Sequence, residues 1–280
     1  MTYTQTTLAA EISLSGLGLH TGRTVRMAVR PASADTGIVF VVQGARIPAS
    51  IAFAQQSAAR NTTLRSGDAA VHTVEHVLSA LSGLGVDNAE VELDAAEPPA
   101  MDGSALPLCQ ALLRTGIRTL DAVSDYLEIR GPLIEEDPGR AAAAALPFPG
   151  FRVTFFLEYD HALVRRQVFD AVLDADAYQH QVAPARTFGF IEEVQALRDA
   201  GLALGGSEDN AVVIYPDRFS SPLRLPHELA AHKAADMIGD LALLGRRVRG
   251  HFIGLRSGHA LNARLVRAAL DASQIFRPPA

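Results

Sequence analysis

The sequence predicts an α+β protein of two similar domains, each a layer of sheet and helix, packed together as a sandwich. Three observations carry that expectation. Short alternating apolar segments open each half of the chain, segments with helical apolar spacing follow them in both halves, and the pattern turns polar in between, around Thr119–Asp125 (TLDAVSD). A boundary there divides the chain into an N-terminal domain, 1–122, and a C-terminal domain, 126–280.

Each element has its own signal. Thr24–Val29 (TVRMAV) and Gly37–Val42 (GIVFVV) read as strands, with Gly22 turning the chain before the first and Pro31 interrupting between them. From Thr73 to Leu84 the apolar residues Val74, Val77, Leu78, Leu81 and Leu84 recur at helical spacing, with Thr73 as the expected N-cap and Gly85 as the stop. Ala89–Leu93 returns to strand and Leu106–Leu113 to helix. In the second half, Tyr126–Ile129 and Phe151–Leu157 read as strands. The run Arg140–Leu146 (RAAAAAL), ahead of Pro147 and Pro149, reads as a short edge segment or loop. A helix over Ile191–Ala200 ends at Gly201, a strand follows at Ala211–Tyr215, and a long helix over His227–Leu244 closes at Gly245. His251–Leu255 completes the strands.

Composition narrows the function. With 280 residues and 48% hydrophobic content the chain builds a sizeable core. Its net charge of -6 comes from interspersed acids, which leaves no basic face for a nucleic-acid backbone. One cysteine, Cys109, excludes an internal disulfide framework and suits a reducing compartment. No uncharged apolar run approaches the roughly 18–20 residues that span a bilayer, and the start carries no basic-then-apolar signal, so the expected location is the cytoplasm.

The chemistry gathers in four places. In Val71–Ala80 (VHTVEHVLSA), His72, Glu75, His76 and Ser79 share one helical stripe, and Val74, Leu78 and Leu81 share the opposite one, so the polar stripe is expected to face away from the core. His72-Thr73-Val74-Glu75-His76 fits H-x-x-E-H, the inverted zinc-protease pattern, which requires His72 as a ligand and a further acidic ligand downstream. In Ala231–Asp240, His232, Asp236 and Asp240 lie one turn apart on a single face, and two of them can bite one ion. Gly239 in mid-helix costs roughly 1 kcal/mol relative to Ala and asks for a reason such as close packing. His76, His232 and Asp236 together make a three-ligand catalytic zinc set with a fourth position for water, drawn from both halves. His259, in the turn Arg256–Ala260, would have a raised pKa beside Asp240 and act as a cationic general acid. Thr187 offers a hydroxyl between Phe188 and Phe190.

Taken together, GLGLHTG (Gly16–Gly22), VHTVEHVLSALSGLGVDN (Val71–Asn88), MDGSALP (Met101–Pro107), ARTFGF (Ala185–Phe190), GLALGGSEDNAVVI (Gly201–Ile214), HKAADMIGDL (His232–Leu241) and SGHALN (Ser257–Asn262) resemble the UDP-3-O-acyl-N-acetylglucosamine deacetylases of lipid A biosynthesis. The segments run in family order over nearly the whole chain. The resemblance implies a two-domain α+β sandwich with zinc at the domain junction, held by His76, His232 and Asp236, and an amide hydrolysis that yields acetate and a free amine. It assigns Glu75 as general base and His259 as general acid oriented by Asp240. Thr187 becomes a donor to the oxyanion and Lys233 a positive group beside it, while His72 is a neighbour rather than a ligand. Phe188 and Phe190 then border an acyl passage, Tyr159 meets the nucleobase, and His20 and Arg256 join the substrate contacts. Iron(II) suits the same two imidazoles and one carboxylate. The implied partner is an acylated UDP-amino sugar met by a monomer at the inner membrane surface. Departures fall on the nucleotide side, where Ala231 and Leu146 stand at positions that are basic in the family and Gln5–Leu8 (QTTL) lacks a basic residue. They leave open, as an alternative, a paralogous zinc deacetylase acting on a different acylated amino sugar.

Overall fold

Alternation decides the first sheet. In Thr24–Pro31 the side chains of Val25, Met27 and Val29 are buried while Thr24, Arg26 and Arg30 are exposed, as a strand with one wet face requires. A computed structural model describes residues 3–55, 61–272 and 275–276. In it this strand lies inside a five-stranded sheet ordered Ile12–Leu17, Thr24–Pro31, Ala89–Leu93, Ile38–Val42, Ala45–Pro48. Ala89–Leu93 runs antiparallel to Thr24–Pro31 and parallel to Ile38–Val42. A small sheet of Ala54–Gln55, Thr63–Ser66 and Ala69–Val71 stands beside it.

The polar stretch Thr119–Asp125 belongs largely to a strand, Ile117–Ser124, antiparallel to Tyr3–Leu8. At Tyr126–Glu128 the chain then enters the second sheet, parallel to Arg247–Leu255. In that sheet Arg247–Leu255 is flanked by Ala141–Leu146 on one side and Phe151–Glu158 on the other, with Leu133–Asp137 and Arg166–Val172 outside them.

The helices are α1 (Glu75–Gly83), α2 (Leu106–Thr115), the single turn α3 (Ala175–Ala177), α4 (Ile191–Asp199), α5 (Glu228–Leu241) and α6 (His259–Ala272). Helix α2 packs on Ile12–Leu17, α5 on Phe151–Glu158 and Arg166–Val172, and α6 on Leu133–Asp137 and Ala141–Leu146. Helices α1 and α5 pack on each other, so the fold is α+β with helices layered between the sheets. No helix among the described residues is long and apolar enough to cross a membrane.

Four local expectations are corrected. Ala141–Leu146 is not an edge or loop: it pairs on both sides, and Ala143 and Ala145 are fully buried where small side chains let α6 approach the sheet. Thr73 is not an N-cap; it takes a left-handed φ of 56°, its hydroxyl accepts from Asn61, and Val74 stands at the cap position with no side-chain cap bond. The polar stripe of α1 does not face solvent, since Glu75 is 3% exposed and Ser79 is fully buried. The long helix ends at Leu241 and tightens to a 3₁₀ turn, Ala242–Leu244, before Gly245 stops it in the left-handed region.

Candidate active site

The glycine in the middle of α5 explains how the site is assembled. A Cβ at Gly239 would stand 2.1 Å from the Glu75 carbonyl oxygen and 2.9 Å from its Cα, so only a bare glycine lets α5 cross the first turn of α1 this closely. That crossing brings Glu75 and His76, the first residues of α1, against His232, Asp236 and Asp240 on one face of α5. The first residue of α6, His259, faces the same point.

One nitrogen of His76, one of His232 and one oxygen of Asp236 all lie within 4.8 Å of one another. Asp236 Oδ1 is 3.6 Å from His76 Nε2 and 3.5 Å from His232 Nε2. His232 Nδ1 is 3.3 Å from the Ala185 carbonyl, which fixes the tautomer that donates there and turns the Nε2 lone pair inward, as a metal ligand needs. Burial pulls His232 down to about 4, so its imidazole is neutral near pH 7. Two imidazoles and a carboxylate with this outer bond suit a divalent metal ion. Asp236 is held well below the usual carboxylate range although burial pushes it up, because Lys233, 2.7 Å away through Nζ, and the nearby imidazoles outweigh burial.

His259 is paired on its other side. Its Nδ1 lies 3.0 Å from Asp240 Oδ2, and Asn262 Nδ2 donates to the same oxygen at 2.8 Å. Burial pulls the imidazole down, but Asp240 and Glu75 outweigh it and lift it to about 9. Its Nε2 is 3.8 Å from Glu75 Oε1. Burial raises the Glu75 pKa, against the opposing pull of His259 and His76.

These groups open on a cavity of about 450 Å³, into which Thr187, Lys233, Phe188 and His20 also reach. Ile191, Val194 and Leu197 of α4, with Val213, give it an apolar wall. Thr187 leads into the strand Phe188–Phe190, which pairs parallel with Val212–Ile214. Tyr159 packs edge-on to Phe188 and against Phe190, with ring centroids 6.2 and 4.9 Å apart. It stands where this cavity meets a second one of about 630 Å³, which Phe190, Arg256, Arg140 and Arg267 also line. His20 meets the loop after α4, taking a bond from the Ala203 amide at Nδ1.

His72 lies outside the donor group. It ends the small sheet, its Nδ1 3.0 Å from the Thr63 hydroxyl, so the H-x-x-E-H ligand set is not assembled among the described residues. Ala231 is buried within α5 at 1% exposure, so that departure falls on a packed face. Sequence reading missed Thr62, Asn262 and the buried pair Arg186–Glu228. In that pair Arg186 bonds both carboxylate oxygens of Glu228, tying the segment before Thr187 to the start of α5. Arg186 and Asn262 lie inside recognised motifs but were given no role, and Thr62 and Glu228 lie outside them without a periodic or spacing signal.

The chain matches the family described as UDP-3-O-acyl N-acetylglycosamine deacetylase (LpxC) over residues 5–271. It is 45% identical over 280 residues to the UDP-3-O-acyl-N-acetylglucosamine deacetylase of Phenylobacterium zucineum (strain HLK1), covering 98% of this chain and 95% of that protein. The protein of the same name from Syntrophus aciditrophicus (strain SB) is 42% identical over 277 residues, covering 97% of this chain and 88% of its own length. With the family match running almost end to end, and the candidate metal-ligating group and paired imidazole standing inside it, the chain belongs to the UDP-3-O-acyl N-acetylglycosamine deacetylase family.

Proposed function

We propose that the protein is a zinc-dependent amidohydrolase of lipid A biosynthesis, removing the acetyl group of UDP-3-O-acyl-N-acetylglucosamine to leave acetate and a free amine. The observation that carries this reading is the meeting of a buried carboxylate, a three-donor metal group and a carboxylate-paired imidazole on one cavity. His76, His232 and Asp236 would hold the ion. When bound, such an ion supplies a Lewis acid that acidifies water and polarises the acetamide carbonyl.

The remaining work falls to the chain. Glu75, made more basic by burial, takes the proton lost by water as oxygen adds to the carbonyl carbon. Thr187 and Lys233 offer donors to the carbonyl oxygen as it gains charge. An amide nitrogen leaves poorly unless protonated, so cationic His259 delivers a proton from Nε2 as the C–N bond breaks, while Asp240 holds Nδ1. The α4 wall, with Phe188 and Phe190, excludes water and receives the acyl chain. Tyr159 flanks the nucleobase end, Arg256 offers a cation to the diphosphate, and His20 orients the sugar. The proposed domains, 1–122 and 126–280, each supply part of this set, in a monomer that meets its amphipathic substrate at the inner membrane surface from the cytoplasm.

The test is a mass-spectrometric screen of acylated N-acetyl sugars, with and without UDP, using metal-analysed protein. The UDP-linked compound is expected to lose its acetyl group, and Glu75→Gln is expected to slow the reaction by about 10²–10⁴-fold. Deacetylation confined to sugars without UDP would move the assignment to another acylated amino sugar. Unimpaired Glu75→Gln would refute the mechanism, and stoichiometric iron(II) would replace zinc in it.

A further inference from the structure

We propose that Thr62 is a positioning residue that aims the base and the acid of the site together, an inference that rests on the hydrolytic reading above. Thr62 is 6% exposed and leads into the strand Thr63–Ser66. Three of its atoms are engaged. The carbonyl accepts from the Val74 amide at the start of α1 at 3.3 Å, the amide donates to Glu75 Oε2 at 3.0 Å, and the hydroxyl donates to Asp240 Oδ1 on α5. The same hydroxyl lies 3.1 Å from His259 Nδ1.

This placement has a mechanical consequence. With Oε2 of Glu75 restrained by the Thr62 amide, Oε1 is the oxygen turned toward His259 Nε2. Asp240 is pinned at both oxygens, by Thr62 at Oδ1 and by Asn262 at Oδ2, and in that orientation the imidazole Nδ1 is shared between them, 3.0 Å from Oδ2 and 3.2 Å from Oδ1. At 1% exposure Asp240 has little water to replace a lost donor, so removing the hydroxyl frees the carboxylate to rotate and the imidazole with it. The hydroxyl also anchors the Thr62 backbone to α5, so the amide that restrains Glu75 moves when the anchor is lost. Base and acid are thereby set by one residue that is not among the three metal donors, although it lines the 630 Å³ cavity beside Asp240 and His259.

Thr62→Val keeps the shape and loses the hydroxyl; Thr62→Ser keeps the hydroxyl and loses the methyl. Both are compared with the wild-type protein for kcat, KM, bound metal and Tm. In Thr62→Val, kcat is expected to fall about 100-fold, the cost of misplacing reacting groups by about 1 Å, with KM and metal content unchanged. Thr62→Ser should recover most of that loss. If Thr62→Val does not fold, Thr62→Ala carries the same comparison against Thr62→Ser. An unimpaired Thr62→Val, a Thr62→Ser variant as slow as Thr62→Val or Thr62→Ala, or a loss confined to KM or to metal content overturns the inference. A wild-type protein that turns over no N-acetyl sugar refutes the hydrolytic reading itself, a result separable from any variant.

Discussion

Replacing Gly239 by alanine tests the contact on which the site is built. In isolation the change should help α5, since alanine exceeds glycine in helix propensity by about 1 kcal/mol. In place, the new Cβ meets the Glu75 carbonyl oxygen at 2.1 Å, about 1.3 Å short of the 3.4 Å at which ordinary contact begins. The three nearest atoms are all backbone of Glu75 in α1, so no side chain there can swing aside and the helices must part. Overpacking of this kind costs about 1–3 kcal/mol, and a backbone-to-backbone clash belongs at the upper end. Taking the net loss as about 2 kcal/mol, Tm should fall by about 3–4 °C in a chain of 280 residues. The same displacement carries Glu75 and His76 away from His232 and Asp236 by about 1 Å, enough to lower kcat by about 100-fold. Thermal unfolding and deacetylation kinetics read the two effects. A variant with an equal or higher Tm and an unchanged kcat would show that the crossing of α1 and α5 is not fixed by this contact.

Other consequences are separable. Arg186→Met strands the fully buried Glu228 carboxylate and should cost about 3–5 kcal/mol at pH 7, measured by urea unfolding. Burial pushes the Glu228 pKa up, but Arg186 and the Arg224 and Arg186 amides hold it lower than usual. Its stabilisation is therefore present above about pH 4.3 and lost as the pH falls through the folded value, so wild type and variant should converge in acid; a constant gap would count against this pairing. His72→Ala should leave the metal content intact while Asp236→Ala abolishes it, and chelation should lower the wild-type Tm. Burial pushes the Cys109 thiol up to about 11, so iodoacetamide at pH 8 should modify it only after unfolding.

The elements carried by strong periodicity, such as Ala89–Leu93 and the helices at Glu75–Gly83 and Leu106–Thr115, were legible because their apolar residues point into one core. The alanine run was not. Alanine has a low strand preference, and its place between two paired strands follows from the room α6 requires, which no local pattern encodes. Of the site, spacing along one helix could offer His232, Asp236 and Asp240, and a mid-helix glycine could announce close packing. Thr62 was invisible because its partners lie 13 and 178 positions away in the chain.

The buried polar stripe of α1 shows why amphipathic reasoning fails where chemistry is done. Hydropathy assigns Glu75 and Ser79 to solvent because burying a carboxylate or hydroxyl without partners is costly. Here the partners are other buried polar groups: Tyr178 donates to Ser79, Thr62 to Glu75, and α5 presents its own polar face. Three carboxylates, Glu75, Asp236 and Asp240, crowd against Lys233, His259 and His76, whose imidazole burial pulls down but Asp236 and Glu75 hold above its usual range. Burial chiefly, aided by Asp236 and Asp240, raises Glu75. A divalent cation between His76, His232 and Asp236 would add positive charge beside these carboxylates. It would also bind α1 to α5 at the point where Gly239 already lets them touch, so the ion's place in the reaction and its place in the fold rest on one helix crossing.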